Sequence, residues 1–100
     1  MSIPQFVDID PRILHLPPSR QSGADPTKMH RQLARFGKLI AGMPPIEVSL
    51  GSDGKFMIND GVTRASRVAR LLPGTPIRAI VIDVLPVPLG SLPTIGDLIP

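Results

Sequence analysis

The residues with the clearest chemical potential lie together in Ile58-Asn59-Asp60-Gly61-Val62-Thr63-Arg64-Ala65-Ser66-Arg67-Val68-Ala69-Arg70-Leu71. The stretch reads as a strand that stops, a sharp turn at Asn-Asp-Gly, and a helix carrying Arg64, Arg67 and Arg70. Such a helix start points unpaired N–H groups and the positive end of the helix dipole at one place. Guanidinium groups close by make that place suited to a phosphate or another anion. Gly61 allows close approach of a ligand to the backbone, and Asn59 belongs to the same turn. Thr63 either donates to a phosphate or bonds a backbone group of the first helical turn. Asp60 is either a catalytic carboxylate or metal ligand, or the residue that makes the turn and caps the helix. Arg64 is the principal candidate for ligand contact. Arg67, one turn further on, can reach the same anion, although a solvated helix face is the plainer reading for it and for Arg70.

Other candidates are fewer. Arg20, in the loop sequence Ser19-Arg20-Gln21-Ser22, could bind substrate or a second phosphate if that loop lies over the site. His15 and His30 fall in different elements with no His-x-x-His or His-x-Glu pattern, so no metal site is expected from them. No Ser-His-Asp set or pair of carboxylates with an evident role can be assembled, and Asp60 is the sole catalytic candidate.

These residues need a frame. Phe6-Val7-Asp8-Ile9 alternates as a short strand ended by Asp10-Pro11, and residues 17–23 are a loop by composition. Asp25-Pro26 starts a helix, because Asp accepts from free N–H groups and Pro fits the first turn. Met29, Leu33, Phe36 and Leu39-Ile40 recur at helical spacing, while Lys28, His30, Arg31, Arg35 and Lys38 lie off that stripe. Gly42 and Pro44-Pro45 are expected to stop this helix, giving it residues 26–41. Ile46-Glu47-Val48-Ser49-Leu50 alternates strictly, with Glu47 facing outward. Gly51-Ser52-Asp53-Gly54 turns the chain, and Lys55-Phe56-Met57-Ile58 returns antiparallel. The second helix, near residues 61–72, sends Val62, Ala65, Val68, Ala69 and Leu72 to the core and ends at Pro73-Gly74. Residues 77–85 form a highly apolar run that fits a strand buried on at least one face.

From Pro86 onward the chain is proline-punctuated but apolar, with Thr94 placed to cap a short turn through Leu98. Its Val, Leu and Ile side chains suit packing back on the domain of residues 1–85, or docking on a protein partner or a second copy.

The chain has 100 residues, 42% of them apolar, which is one domain with a modest core. With 13 prolines and 9 glycines its elements should be short. Net charge is +3, with Lys and Arg concentrated in residues 28–38 and 64–78; solvated helix faces or a polyanionic partner both account for that. The absence of cysteine excludes disulfides, thiolate metal sites and cysteine nucleophiles. The absence of Trp and Tyr weakens any single-strand platform built on aromatic stacking. No apolar run approaches the roughly 18 residues of a membrane helix, and no basic-then-apolar signal segment begins the chain. A soluble, cytoplasmic protein is the expectation, with export as a toxin component by another route left open.

The order of these motifs resembles the ParB N-terminal/sulfiredoxin-like superfamily. The matching residues are Met43-Pro44-Pro45-Ile46-Glu47-Val48, Asp53-Gly54-Lys55-Phe56-Met57-Ile58, Asp60-Gly61-Val62-Thr63-Arg64 and Ala69, then Thr75-Pro76-Ile77-Arg78-Ala79-Ile80-Val81-Ile82-Asp83. Val7-Asp8-Ile9 and residues 17–20 fall where the family has its first strand and substrate-side loop. The resemblance covers about residues 5–85 and implies an α/β (α+β) single domain, a small mixed sheet with two main helices. Members bind ATP, ADP or CTP at the Gly-x-x-Arg turn, so it implies phosphate contacts from Gly61, Thr63 and Arg64, with Mg²⁺ bridging the phosphates.

The departures narrow the chemistry. Sulfiredoxins place a catalytic cysteine directly after this glycine, where Val62 stands, so their reaction is excluded. ParB-type CTPases have Glu-Arg-Arg after the glycine; Val62 and Thr63 replace the first two. Their second phosphate motif and helix-turn-helix domain have no counterpart in these residues, so DNA partitioning in full form is not expected. The form Asn-Asp-Gly-Val-Thr-Arg-Ala-Ser-Arg is similar to small standalone or toxin-associated bacterial ParB-like domains, often labelled nucleases. Two functions therefore stand side by side. One is a nucleotide- or phosphate-binding domain with phosphoester hydrolase (nuclease or NTPase) chemistry, linked to a toxin or plasmid system. The other is a non-catalytic DNA-binding or protein-interaction module.

Overall fold

A computed structural model describes residues 5–99 as a small mixed α/β domain, with a four-stranded sheet and three α-helices. In chain order the elements are β1 (Gln5–Ile9), α1 (Pro26–Phe36), β2 (Ile46–Leu50), β3 (Phe56–Asp60), α2 (Val62–Leu71), β4 (Ile77–Val84) and α3 (Ile95–Leu98). Single 3-10 turns occupy Pro11–Ile13 and Pro18–Arg20.

The sheet order is β1-β4-β2-β3. β2 and β3 form a hairpin, β4 lies parallel to β2, and β1 lies antiparallel to β4. A parallel neighbour requires a crossover connection, and here β3 and α2 supply it. The most apolar segment of the chain, β4, thereby becomes an interior strand. Its first half is the buried half, with Ile77 and Ala79 in the core and Ile82 and Val84 exposed. Ile46, Val48 and Ile58 from the sheet pack against Ala65, Val68 and Ala69 of α2, with Leu14, Leu16 and Ile95 completing the core. The apolar spacing of α2 fits the expected pattern, with Val62 and Leu72 half-buried at the margin.

Two expected boundaries are corrected. The first helix does not reach residue 41: it ends at Phe36, where Gly37 takes φ 52° and donates its N–H to the Leu33 carbonyl at 3.0 Å. A glycine accepts that backbone angle without penalty, and Leu39 and Ile40 fall in the loop beyond it instead. The returning strand does not stop at Ile58: β3 runs through Asp60, which pairs with Glu47. The register shifts between Glu47 and Val48, leaving Asn59 without an opposing residue, as in a bulge that re-aims the strand end. Glu47 itself is half-buried.

The segment 86–99 is built into the body. Asp53 of the hairpin turn accepts from Leu89 N–H at 3.1 Å and Gly90 N–H at 2.9 Å. A Cβ on Gly51 would lie 2.7 Å from Leu89 Cγ, so only a glycine lets this crossing close. Beyond β3, His15 extends the sheet: its N–H donates to the Phe56 carbonyl and its own carbonyl accepts from Ile58. The His15 ring is buried, with Nδ1 2.7 Å from the Leu92 carbonyl oxygen. Thr94 and Asp97 form a reciprocal capping box at α3. No helix among the described residues is long and apolar enough to cross a membrane.

Candidate functional site

α2 begins at Gly61, whose φ of 109° and ψ of 19° belong to the left-handed region. That conformation turns the chain from β3 into the helix within one residue. The glycine is also demanded by packing: a Cβ there would lie 2.5 Å from Ile46 Cγ2 and 3.1 Å from Arg64 Nη2. Because the residue before the helix has no side chain, no side-chain cap covers the helix start. The first intrahelical bond runs from Ala65 N–H to the Gly61 carbonyl at 2.9 Å. The N–H groups of Val62, Thr63 and Arg64 precede it, and no described side chain accepts from them. Asp60 is thus not the cap; its carboxylate lies 3.6 Å from Arg64 Nη2 and is well exposed.

This helix start opens into a cleft of about 780 Å³ between α1, α2 and the loop preceding α1. Among its lining residues are Asn59, Asp60, Gly61, Val62, Thr63 and Arg64 on one side, Lys28, Arg31, Gln32, Arg35 and Phe36 of α1 on another, and Ser19, Arg20 and Asp25 at the loop. The basic side chains outnumber the carboxylates, Asp25 and Asp60, so the concavity favours anions. Asp25 is engaged as the cap of α1, with Oδ1 accepting from Thr27 N–H at 2.8 Å and Lys28 N–H at 3.2 Å. The Lys28 and Thr27 amides hold its carboxyl below the usual aspartate range, assisted by the positive charges of Lys28 and Arg20.

Arg64 is held loosely. Its Nη2 donates to the Pro45 carbonyl at 3.5 Å, the outer limit of a hydrogen bond, and its Nε is buried with no partner among the described residues. A phosphate oxygen would therefore compete only with long contacts. Asn59 Nδ2 donates to Ser49 Oγ at 2.7 Å, which anchors the strand end beside the cleft.

Arg67 is placed elsewhere. The expectation of a solvated Arg67 is corrected: it is 1% exposed and does not line the cleft. Its Nη1 donates to the Gly37 carbonyl at 2.7 Å and the Leu39 carbonyl at 2.8 Å, while Nη2 lies 3.4 Å from Met43 Sδ. Burial lowers its pKa from the ordinary arginine value. The negative end of the α1 dipole and two carbonyls compensate the charge. Arg70, by contrast, is exposed. So the structure gathers Arg20, Asn59, Asp60, Gly61, Thr63 and Arg64 at one cleft and sets Arg67 behind it.

The basic wall of α1 is what sequence reading left out of the site. Its signal was present as the spacing of Lys28, Arg31 and Arg35, but nothing local says which element that face meets. Among the described residues there is no group of three or more His, Cys, Asp or Glu side chains able to hold a metal ion. A Mg²⁺ ion there would depend on oxygens brought by a nucleotide. Comparison with known proteins produced no match to a family model, to a curated protein or to a solved structure.

Proposed function

We propose that this chain is a nucleotide- or phosphate-binding domain of the ParB/sulfiredoxin-like type, acting through the cleft at the α2 N-terminus. The observation that carries the reading is the start of α2 without a side-chain cap, opening at Gly61 into a cleft with an excess of Arg and Lys. Unpaired N–H groups, a helix dipole and guanidinium forks are each devices by which proteins hold phosphate oxygens. The element order, with a hairpin, a glycine turn into a helix and a return strand, agrees with the superfamily the motifs resemble.

In this reading Thr63 and the amides of residues 62–64 hold a terminal phosphate, Arg64 neutralises it, and Arg20 closes from the loop. ATP, ADP and CTP, carried with Mg²⁺, are the candidate ligands. For phosphoester hydrolysis Asp60 is the carboxylate at the helix start available as a base. The resemblance of residues 59–67 to toxin-associated and standalone bacterial ParB-like domains is what points to such a setting. The test is a thermal-shift panel of ATP, ADP and CTP with Mg²⁺: one of them raises the melting temperature of the parent chain and fails to do so with Arg64→Ala. A panel without any shift sinks the proposal.

A second reading, as a protein-interaction module or homodimer, draws on one observation. Ile82, Val84 and Val87 are 49%, 68% and 51% exposed where β4 passes into the following segment. Sedimentation that gives the monomer mass at all concentrations removes the homodimer form of it.

A further inference from the structure

We infer that the cleft takes a run of phosphates, the backbone of a single-stranded nucleic acid, along α1 as well as one phosphate at α2. The inference rests on the phosphate-binding reading above and deepens it.

Lys28, Arg31 and Arg35 follow one another at three- and four-residue spacing, and all three line the same wall of the cleft. On a helix those spacings make neighbours, so Lys28 and Arg31, and then Arg31 and Arg35, are like-charge pairs that disfavour the helix. Lys28 also sits in the first turn, beside the positive end of the dipole, where a cation is unfavourable. No acidic residue lies within α1 itself; the capping Asp25 just before it offsets part of the charge of Lys28 and leaves Arg31 and Arg35 unrelieved. Among the described residues the ion pairs are Arg64–Asp60 and Arg78–Asp8, so none of the three has a carboxylate within ion-pair distance. A bound polyanion would offset the repulsion along this face.

The wall is long enough to face more than one phosphate. Seven residues of helix separate Lys28 from Arg35, about 10 Å along the axis. A strand presents a phosphate at every residue and follows the wall. Arginine forks favour phosphate, and a concave cleft between two helices and a loop admits a single strand more readily than a stiff duplex. Base stacking contributes little, because the Phe36 ring is covered by the guanidinium groups of Arg35 and Arg67, each 5.3 Å from its centre. Binding should be indifferent to base sequence and steep in salt.

Fluorescence anisotropy of a labelled oligothymidylate of about a dozen nucleotides, across a salt series with the full chain, tests this. The salt slope should fall by about 0.7 for each charge removed in Lys28→Gln, Arg31→Gln and Arg35→Gln. The triple variant should keep the parent's circular dichroism spectrum. An unchanged slope, or a duplex bound as tightly as the strand, would each overturn the inference. A nucleotide-induced shift lost in Arg64→Ala, with no binding of the strand, overturns it while leaving the nucleotide reading in place.

Discussion

Arg67 Nη1 donates to the carbonyl of Gly37 at 2.7 Å and thereby ties the middle of α2 to the end of α1. The two residues are 30 positions apart, and the bond joins the two helices that wall the cleft. Removing the guanidinium strands the carbonyls of Gly37 and Leu39 and leaves a void beside Phe36. Arg67→Ala should cost about 3 kcal/mol of stability, read by urea unfolding. Arg67→Lys retains a charge but not the fork, and should recover only part of that loss. A change below about 0.5 kcal/mol in Arg67→Ala would show that the buried arginine does not hold the helices together.

Gly61 has a double constraint, from its positive φ and from Ile46. Gly61→Ala should lose about 3 kcal/mol, combining left-handed strain with the collision at Ile46. Anion binding should weaken with it, since the first turn of α2 would shift. Unfolding and thermal-shift measurements on the same variant report both effects.

Asp60 distinguishes two roles. Its pairing with Arg64 is exposed and long, so Asp60→Ala should alter stability by no more than about 0.5 kcal/mol. If it only screens Arg64, the variant binds nucleotide more tightly, by a few-fold. If it serves as a metal ligand, the Mg²⁺-dependent part of the thermal shift disappears. Titration of nucleotide with and without Mg²⁺ separates these results.

Acid sensitivity follows from three carboxylates held below their usual range. The Lys28 and Thr27 amides lower Asp25, and the Thr94 amide and hydroxyl lower Asp97. For Asp53, desolvation acts upward, but the Leu89 and Gly90 amides outweigh it and the net direction is down. A carboxyl lowered on folding stabilises fully above its unfolded value of about 3.9, and the contribution vanishes as pH falls through the folded value. Melting temperature should therefore stay level in acid until about pH 4 and drop below it. Asp53→Asn should make that drop shallower, with circular dichroism melts across pH as the measurement.

Several features were legible from neighbours in the chain. Asp25-Pro26 opens α1, Gly51-Ser52-Asp53-Gly54 turns the hairpin, Thr94 caps α3, and Gly61 turns β3 into α2. Each is decided within a few residues, by a hydrogen bond, a fixed φ or the period of apolar side chains. The same locality misplaced the end of α1. Gly42 and the prolines are strong stops, but Gly37 comes first, and the carbonyls it exposes are taken up by Arg67 from another helix.

The geometry of the candidate site was written in residues 59–64, since a glycine without a cap before an arginine-bearing helix carries its own turn and charge. The membership of its other wall was not. Arg64 and Arg67 are one turn apart on the same helix and chemically identical, yet one lines the cleft and the other is buried. That division depends on where α1 ends and packs, a contact between distant segments. Helical period places two arginines on one side of a helix; only the partner surface decides which meets water and which must be matched by carbonyls, because burying a guanidinium is tolerable solely where such acceptors already stand.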